Sequence, residues 1–419
     1  MVNGRRRWRP AVGAWALAVS LWVLAIAPAA ASTGPSGSGS GTGSTGGGSS
    51  ITTVADPMVP GEVILKLQNA ADLPAIADQY KLNPLPLDHL TVAPLYLMRI
   101  AEDLAPDVVA AALATDVRVA YAEPNILGAA AEDQSFAPWA SGNGPAEYQG
   151  QWVPADMRLP QAFTVTRGAG VTVAVLDTGV DATHPALAGR VTAGYDFVNE
   201  RTDTSEVGVP GLNPAFGHGT FIAGLVALAA PDARIMPVRV LDPNGYGDIW
   251  RLSKAMVWAA SNGADVINLS LSTHTRTHVA GDLVTSLTAT GRGVVVSAAA
   301  GNFASDRPLF PAGEGGARVL SVAATTPLNT LAPFSDYGSW VRVGAPGAAV
   351  LSSVPGGQYA TWSGTSMSTG LASGTAALVR AAFPAFSAQD VNSRVAATAT
   401  RILGAVPLKI NAAAAVGAQ

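Results

Sequence analysis

The chain has 419 residues, 48% of them hydrophobic and 13% charged, with a formal net charge of -4 and no cysteine. That length allows two or three domains with a core of ordinary size. The absent cysteine excludes disulfides, thiolate metal sites and cysteine nucleophiles. The balance of charge provides no basic surface, so nucleic acid is not an expected partner.

The first ten residues carry four Arg, an apolar run of 17 residues follows from Ala11 to Ala27, and Ala29, Ala30 and Ala31 come next. This is the order of a secretory signal peptide cleaved after Ala31. An uncleaved membrane anchor is the alternative, but the run is at the short limit for spanning. Ser32 to Ser50 is Gly, Ser or Thr except for Pro35. Such a composition cannot bury a core and reads as a flexible linker over 32–56.

A first folded unit is expected over 57–133. Strands are predicted at Gly61 to Leu67, Leu95 to Ile100 and Val117 to Ala122, with helices at Ala70 to Tyr80 and Leu104 to Thr115. After Glu123-Pro124-Asn125 the pattern lapses, and a loop is predicted through Gly150.

The remainder, 134–419, alternates apolar strands with helices. Val171 to Leu176 is a continuous apolar run, as in a strand buried on both faces. Further runs are Ile235 to Val240, Asp265 to Ser270, Val294 to Ser297 and Val319 to Ala323, with helices predicted at Asp248 to Asn262 and Ala280 to Gly291. That order predicts a mostly parallel sheet with helices on both faces. Ligands of such α/β folds bind at the carboxyl ends of the strands.

Three segments at strand ends or helix starts carry chemistry. Asp177-Thr178-Gly179 ends the first buried strand, His218 in Gly217-His218-Gly219-Thr220 enters an apolar helix, and Ser366 in Gly364-Thr365-Ser366-Met367 lies at a helix N-terminus. Each has an ordinary structural explanation: a turn Asp, a helix-start His and an N-cap Ser. In the order Asp, His, Ser on an α/β pattern, however, they match the arrangement of subtilisin.

Residues from about Gln151 to Pro384 thus resemble the subtilisin-like serine proteases. Intervening landmarks match as well: Val266 to Leu271, Ala299-Ala300-Gly301-Asn302, Phe310-Pro311-Ala312 and Ala345-Pro346-Gly347. The resemblance implies a three-layer α/β domain with a mostly parallel central sheet, preceded by a small α+β ferredoxin-like propeptide domain. It implies a secreted serine endopeptidase with Asp177, His218 and Ser366 as its triad and Asn302 as an oxyanion donor. Protein or peptide substrates would lie as an extended strand between Gly245-Tyr246-Gly247 and Ser270-Leu271-Ser272. Ala299, Ala300 and Gly301 would line the pocket for the side chain before the scissile bond, with 303–309, including Asp306 and Arg307, at its border. The Phe310-Pro311 bond matches the family's cis-proline position.

The resemblance also implies that the chain is a monomeric zymogen. Its propeptide would act as an intramolecular inhibitor, with self-cleavage between Asn125 and Gly150. No cofactor is required. Calcium sites built from carbonyl oxygens stay open, but the usual high-affinity site is expected to be missing. Ala186 stands where calcium-binding relatives carry Asp, and the helix after His218 reaches Pro231-Asp232 without an inserted loop.

Two departures from the family stand out. Ser368-Thr369-Gly370-Leu371 replaces Ala, a variable residue and Pro-His, so packing beneath the triad is expected to differ. Ser272 replaces Gly, which is expected to narrow the groove. His274 and His278 have a spacing that invites a metal reading, but the Glu of a metalloprotease helix is missing, and a solvated loop is expected there.

Rival readings fit less well. Leu176-Asp177-Thr178-Gly179 also fits an aspartic-protease signature, which requires a second copy on an all-β framework. Gly364 to Ser368 lacks the closing Gly of a lipase nucleophile elbow. A non-catalytic binding protein on a protease scaffold is the alternative of a different class, and the four intact catalytic positions speak against it.

Overall fold

The computed structural model describes residues 55–130, 142–402 and 408–418. The expected signal peptide, almost all of the linker and the boundary at 133/134 lie outside the described residues.

The first described elements are β1 (Met58–Leu67), α1 (Leu73–Gln79), β2 (Asp88–Leu90), β3 (Leu95–Arg99), α2 (Pro106–Leu113) and β4 (Val119–Ala130). The strands pair antiparallel in the order β4-β1-β3-β2. Successive side chains on a strand face opposite sides, and β1 shows the result. Val63, Leu65 and Leu67 pack with Ile76, Val109 and Leu113 of the two helices. Ile64 turns the other way, into a cluster with Leu252 and Met256.

Three short helices follow, α3 (Pro145–Gly150), α4 (Trp152–Asp156) and α5 (Leu159–Ala162). The larger layer is then built from β5 (Thr172–Asp177), β6 (Tyr195–Asp196), α6 (His218–Ala229), β7 (Arg234–Arg239), β8 (Tyr246–Asp248), α7 (Ile249–Ser261), β9 (Val266–Leu269), β10 (Leu271–Ser272), α8 (His278–Ala289), β11 (Val295–Ala299), β12 (Val319–Thr325) and β13 (Val343–Pro346). A hairpin, β14 (Val350–Val354) and β15 (Gln358–Trp362), leads into α9 (Thr365–Ala382), α10 (Ala388–Ala397) and α11 (Ala412–Val416).

The parallel sheet runs β13-β12-β11-β9-β5-β7-β6. Its strands are buried on both faces, as their unbroken apolar runs predict. Val173 and Val175 of β5 pack with α6, α9 and α10, whereas Ala174 and Leu176 pack with α7 and α8. This is the expected three-layer α/β domain.

Three sequence expectations need correction. β4 does not end at Ala122, because it continues to Ala130, and α3 forms within the stretch expected to be loop. Residues Leu127–Ala130 have weak strand propensity, and their extended form comes from pairing with β8 and β10. His278 is not in a loop either. It opens α8, and its ring stacks on Tyr121 at 5.2 Å between centroids.

β4 also closes two helix N-termini. Glu123 accepts from the backbone N–H groups of His278 and Val279, at 2.6 and 2.8 Å, and Asn125 Oδ1 accepts from Trp250 N at 3.1 Å. Unsatisfied N–H groups and the helix dipole favour such acceptors. Among the described residues no helix is long and apolar enough to cross a membrane.

Candidate active site

Asp177 is the last residue of β5, and His218 is the first of α6. Gly219 lets these elements meet. A Cβ there would lie 2.1 Å from the Gly179 carbonyl oxygen and 3.0 Å from Asp177 Cβ. Asp177 Oδ1 accepts from its neighbour Thr178 N and pairs with His218 Nδ1, both at 2.7 Å. Both side chains are buried, so the pair is shielded from competing water. The turn after Asp177 is braced from below by Arg239, whose Nε donates to the Thr178 carbonyl and whose Nη1 donates to Asp196 Oδ2, each at 2.9 Å.

Ser366 is the second residue of α9, which packs along α6. Its Oγ lies 3.3 Å from the Ser270 carbonyl, and Ser270 Oγ lies 3.3 Å from the Ser366 carbonyl. A buried chain of side-chain bonds continues from Ser270 through Asn268 to Ser373. Within 368–371, Ser368 Oγ donates to the Ala345 carbonyl at 2.9 Å.

Asn302 Oδ1 accepts from Thr365 N at 2.9 Å, and Gly301 N donates to Thr365 Oγ1 at 3.1 Å. The loop after β11 is thereby fastened to the start of α9, beside Ser366. Ala299 and Ala300 are fully buried at the end of β11, and the Phe310-Pro311 bond is cis. Asp306 and Arg307 are exposed, while Leu309 is buried.

The two expected substrate edges both bear a strand of this chain. Tyr246, Gly247 and Asp248 pair with Ala129, Gly128 and Leu127, and on the other side Leu271 and Ser272 pair with Ala130 and Ala129. Gly245 O accepts from Ala130 N at 2.9 Å. Tyr246 is half-exposed and Leu271 is buried. Ser270 stands beside Ser366 at the end of this channel.

Two carboxyls near the site escaped the sequence reading. Glu206 Oε1 accepts from the N and Oγ1 of Thr220 in the first turn of α6, both at 3.0 Å. Burial, followed by the negative charge of Asp177, pushes this carboxyl up to about 7, against the bonds from Thr220 and Gly217. Asp336 Oδ1 accepts from Phe303 N and Ser305 N at 2.9 Å, holding the loop that carries Asn302. Burial pushes Asp336 up to about 6. Neither sits in a recognisable motif. A lone acid in a loop gives no signal until the chain has folded around it.

Residues 168–414 match the subtilase family. A thermophilic serine proteinase from Bacillus sp. (strain AK1) is 40% identical over 285 residues, covering 65% of this chain and 66% of that protein. Thermitase from Thermoactinomyces vulgaris is 37% identical over 272 residues, covering 62% of this chain and 92% of thermitase. The chain belongs to the subtilase family. The enzyme class that goes with this membership is the subtilisin-like serine endopeptidase.

The subtilase fold extends over most of the described chain. Fervidolysin from Fervidobacterium pennivorans, described as a keratinolytic enzyme related to subtilisin, superposes with a TM-score of 0.70 at 23% identity, over 86% of this chain and 61% of that one. A protease from Pseudoalteromonas arctica superposes with a TM-score of 0.59 at 29% identity, over 67% of this chain and 99% of that one.

Among the described residues no group of three or more His, Asp or Glu could hold a metal ion.

Proposed function

We propose that this subtilase hydrolyses peptide bonds with Ser366 as nucleophile, His218 as general base and acid, and Asp177 as the group that orients and stabilises the imidazole. The buried 2.7 Å contact between His218 Nδ1 and Asp177 Oδ1 carries this reading. It directs Nε2 away from Asp177, towards the proton of an attacking hydroxyl. A free hydroxyl is a weak nucleophile and requires such a base. Ser366 Oγ attacks the carbonyl carbon while Nε2 takes its proton, and that proton passes to the leaving amine. Charge developing on the carbonyl oxygen is met by the Asn302 amide and the Ser366 N–H at the positive end of α9. Water then cleaves the acyl-enzyme by the same steps.

The second part of the reading is that the chain is an exported zymogen. Residues 1–31 would be removed on export, and 57–133 would inhibit the peptidase until cut away. Pairing of Leu127–Ala130 with both channel edges supports this reading, because it is how a product strand would lie. The pairing reaches Ala130 opposite Leu271, whose neighbour Ser270 stands beside Ser366, so the cut is expected just beyond Ala130, within the 125–150 window.

A fluorophosphonate probe tests the first part. Labelling at Ser366 that is lost in His218→Ala supports it, and an unlabelled protein points to a binding protein on a protease scaffold. Ser366→Ala tests the second part. It should leave an uncut precursor in a protease-free host, and normal maturation of that variant would refute self-cleavage.

A further inference from the structure

Along the channel-bound end of β4, burial alternates. Gly128 and Ala130 face the body of the protein, and Leu127 and Ala129 are partly exposed. Gly128 stands over a cavity lined by Val240, Leu241, Ile249, Leu252 and Leu271. This hole is lined mainly by apolar side chains, yet the strand puts no side chain into it. The reason lies at its mouth. A Cβ on Gly128 would stand 3.0 Å from Thr273 Cγ2 and 3.2 Å from the Ser272 carbonyl oxygen. Both distances are tighter than carbon atoms normally tolerate, and overpacking of this kind is costly.

Thr273 is held where it is. The residue is 3% exposed, its Oγ1 donates to the Thr275 carbonyl at 2.9 Å, and its backbone exchanges two hydrogen bonds of 2.9 Å with Phe310. A β-branched side chain is stiff about χ1, so its methyl cannot easily swing aside. The cavity is present but screened.

We propose that Thr273 makes this subtilase select substrates with glycine at the position Gly128 occupies, with its methyl group as the screen. The substrate class is therefore polypeptide segments with glycine at that one position, as in the chain's own Leu127-Gly128-Ala129-Ala130. This rests on the reading of Leu127–Ala130 as a product-like strand.

The test uses a peptide series copying residues 126–131, Ile-Leu-Xaa-Ala-Ala-Ala-p-nitroanilide, with Gly, Ala, Leu or Phe as Xaa. Discrimination by shape in an apolar pocket reaches about 10–200-fold, so kcat/KM should fall at least tenfold or so from Gly to Leu. Thr273→Ser removes the methyl and keeps the hydroxyl, and it should raise the Leu-to-Gly ratio about fivefold or more. Thr273→Val keeps the methyl and loses the hydroxyl, and it should leave that ratio low, which separates screening from general damage. In the full chain, Gly128→Leu should slow self-cleavage, and adding Thr273→Ser should restore part of it.

A labelled, active protein that prefers Leu or Phe to Gly, or whose ratio ignores Thr273→Ser, overturns the inference and leaves the serine-protease reading standing. No hydrolysis of any peptide together with no labelling at Ser366 overturns that reading, and the inference with it.

Discussion

The contact between α9 and the parallel sheet and the seam between the antiparallel sheet and α7 and α8 are built differently. The first is a continuous apolar core of small side chains, with α9 buried from Thr365 to Arg380. At the edge of the same sheet, β7 and β6 carry a buried charge pair, Arg239 with Asp196. The seam also has apolar contacts, from Ile64, Leu90, Leu95 and Leu97. It adds two partly exposed ion pairs on which water can act, Lys66 with Asp282 and Lys254 with Asp88, beside the buried helix caps from Glu123 and Asn125. The core is made to stay closed, whereas the seam is specific yet open to salt and pH.

The largest effect should come from the core. Asp196→Ala leaves the Arg239 guanidinium, 1% exposed, without its counter-charge, and breaking such a pair costs about 3–5 kcal/mol. Chemical denaturation should show this as a lowered midpoint. A loss below about 1 kcal/mol would mean that water reaches Arg239 and that the core is not sealed.

Glu206 sharpens the contrast through pH. Its carboxyl is raised from 4.5 to about 7 in the folded protein, so the folded state holds the proton more tightly than the unfolded state. Its stabilisation is fully present below the unfolded value and is lost as pH rises through about 7. Glu206→Gln removes that slope. Relative to the parent chain the variant should gain up to about 3 kcal/mol between pH 4 and pH 8, read from thermal midpoints at the two values.

Seam changes should be smaller. Glu123→Ala takes the acceptor from two N–H groups of α8 and should cost about 1–2 kcal/mol. In a Ser366→Ala background this would be read as faster limited proteolysis of residues 55–130. Burial raises the Glu123 carboxyl, against the bonds from Val279 and His278, so its own contribution weakens as pH rises through its folded value, and acid alone should not release the seam through this residue. Lys66→Ala, which breaks a partly exposed pair with Asp282, should cost at most about 1 kcal/mol. Half-molar salt should change little beyond that. A Lys66 effect as large as that of Asp196 would erase the distinction.

The legible part of this molecule follows the same division. The parallel strands were readable because burial on both faces demands unbroken apolar runs, as at Val173 to Leu176. Asp177, His218 and Ser366 were readable because family motifs mark their places at element ends. The extension of β4 was not, since Leu127-Gly128-Ala129-Ala130 has no propensity to be a strand and becomes one only against Tyr246 and Leu271. Asp196 with Arg239, Glu206 and Asp336 were invisible for a related reason. Each acts through partners distant in sequence, and a single carboxylate in a loop has no periodicity to betray it. The substitution of Ser272 could be seen, but the consequence of its neighbour Thr273 required coordinates.

One strand, β4, belongs at once to the antiparallel sheet and to the channel. On the proposed zymogen reading, cutting and letting go would therefore be separate events. A cut beyond Ala130 would remove a single covalent tie and leave every rung of the ladder and both helix caps in place. The severed piece would still have to unzip from two edges, so the interval between cleavage and activity would become a clock whose rate is written in the seam rather than in the chemistry proposed for Ser366.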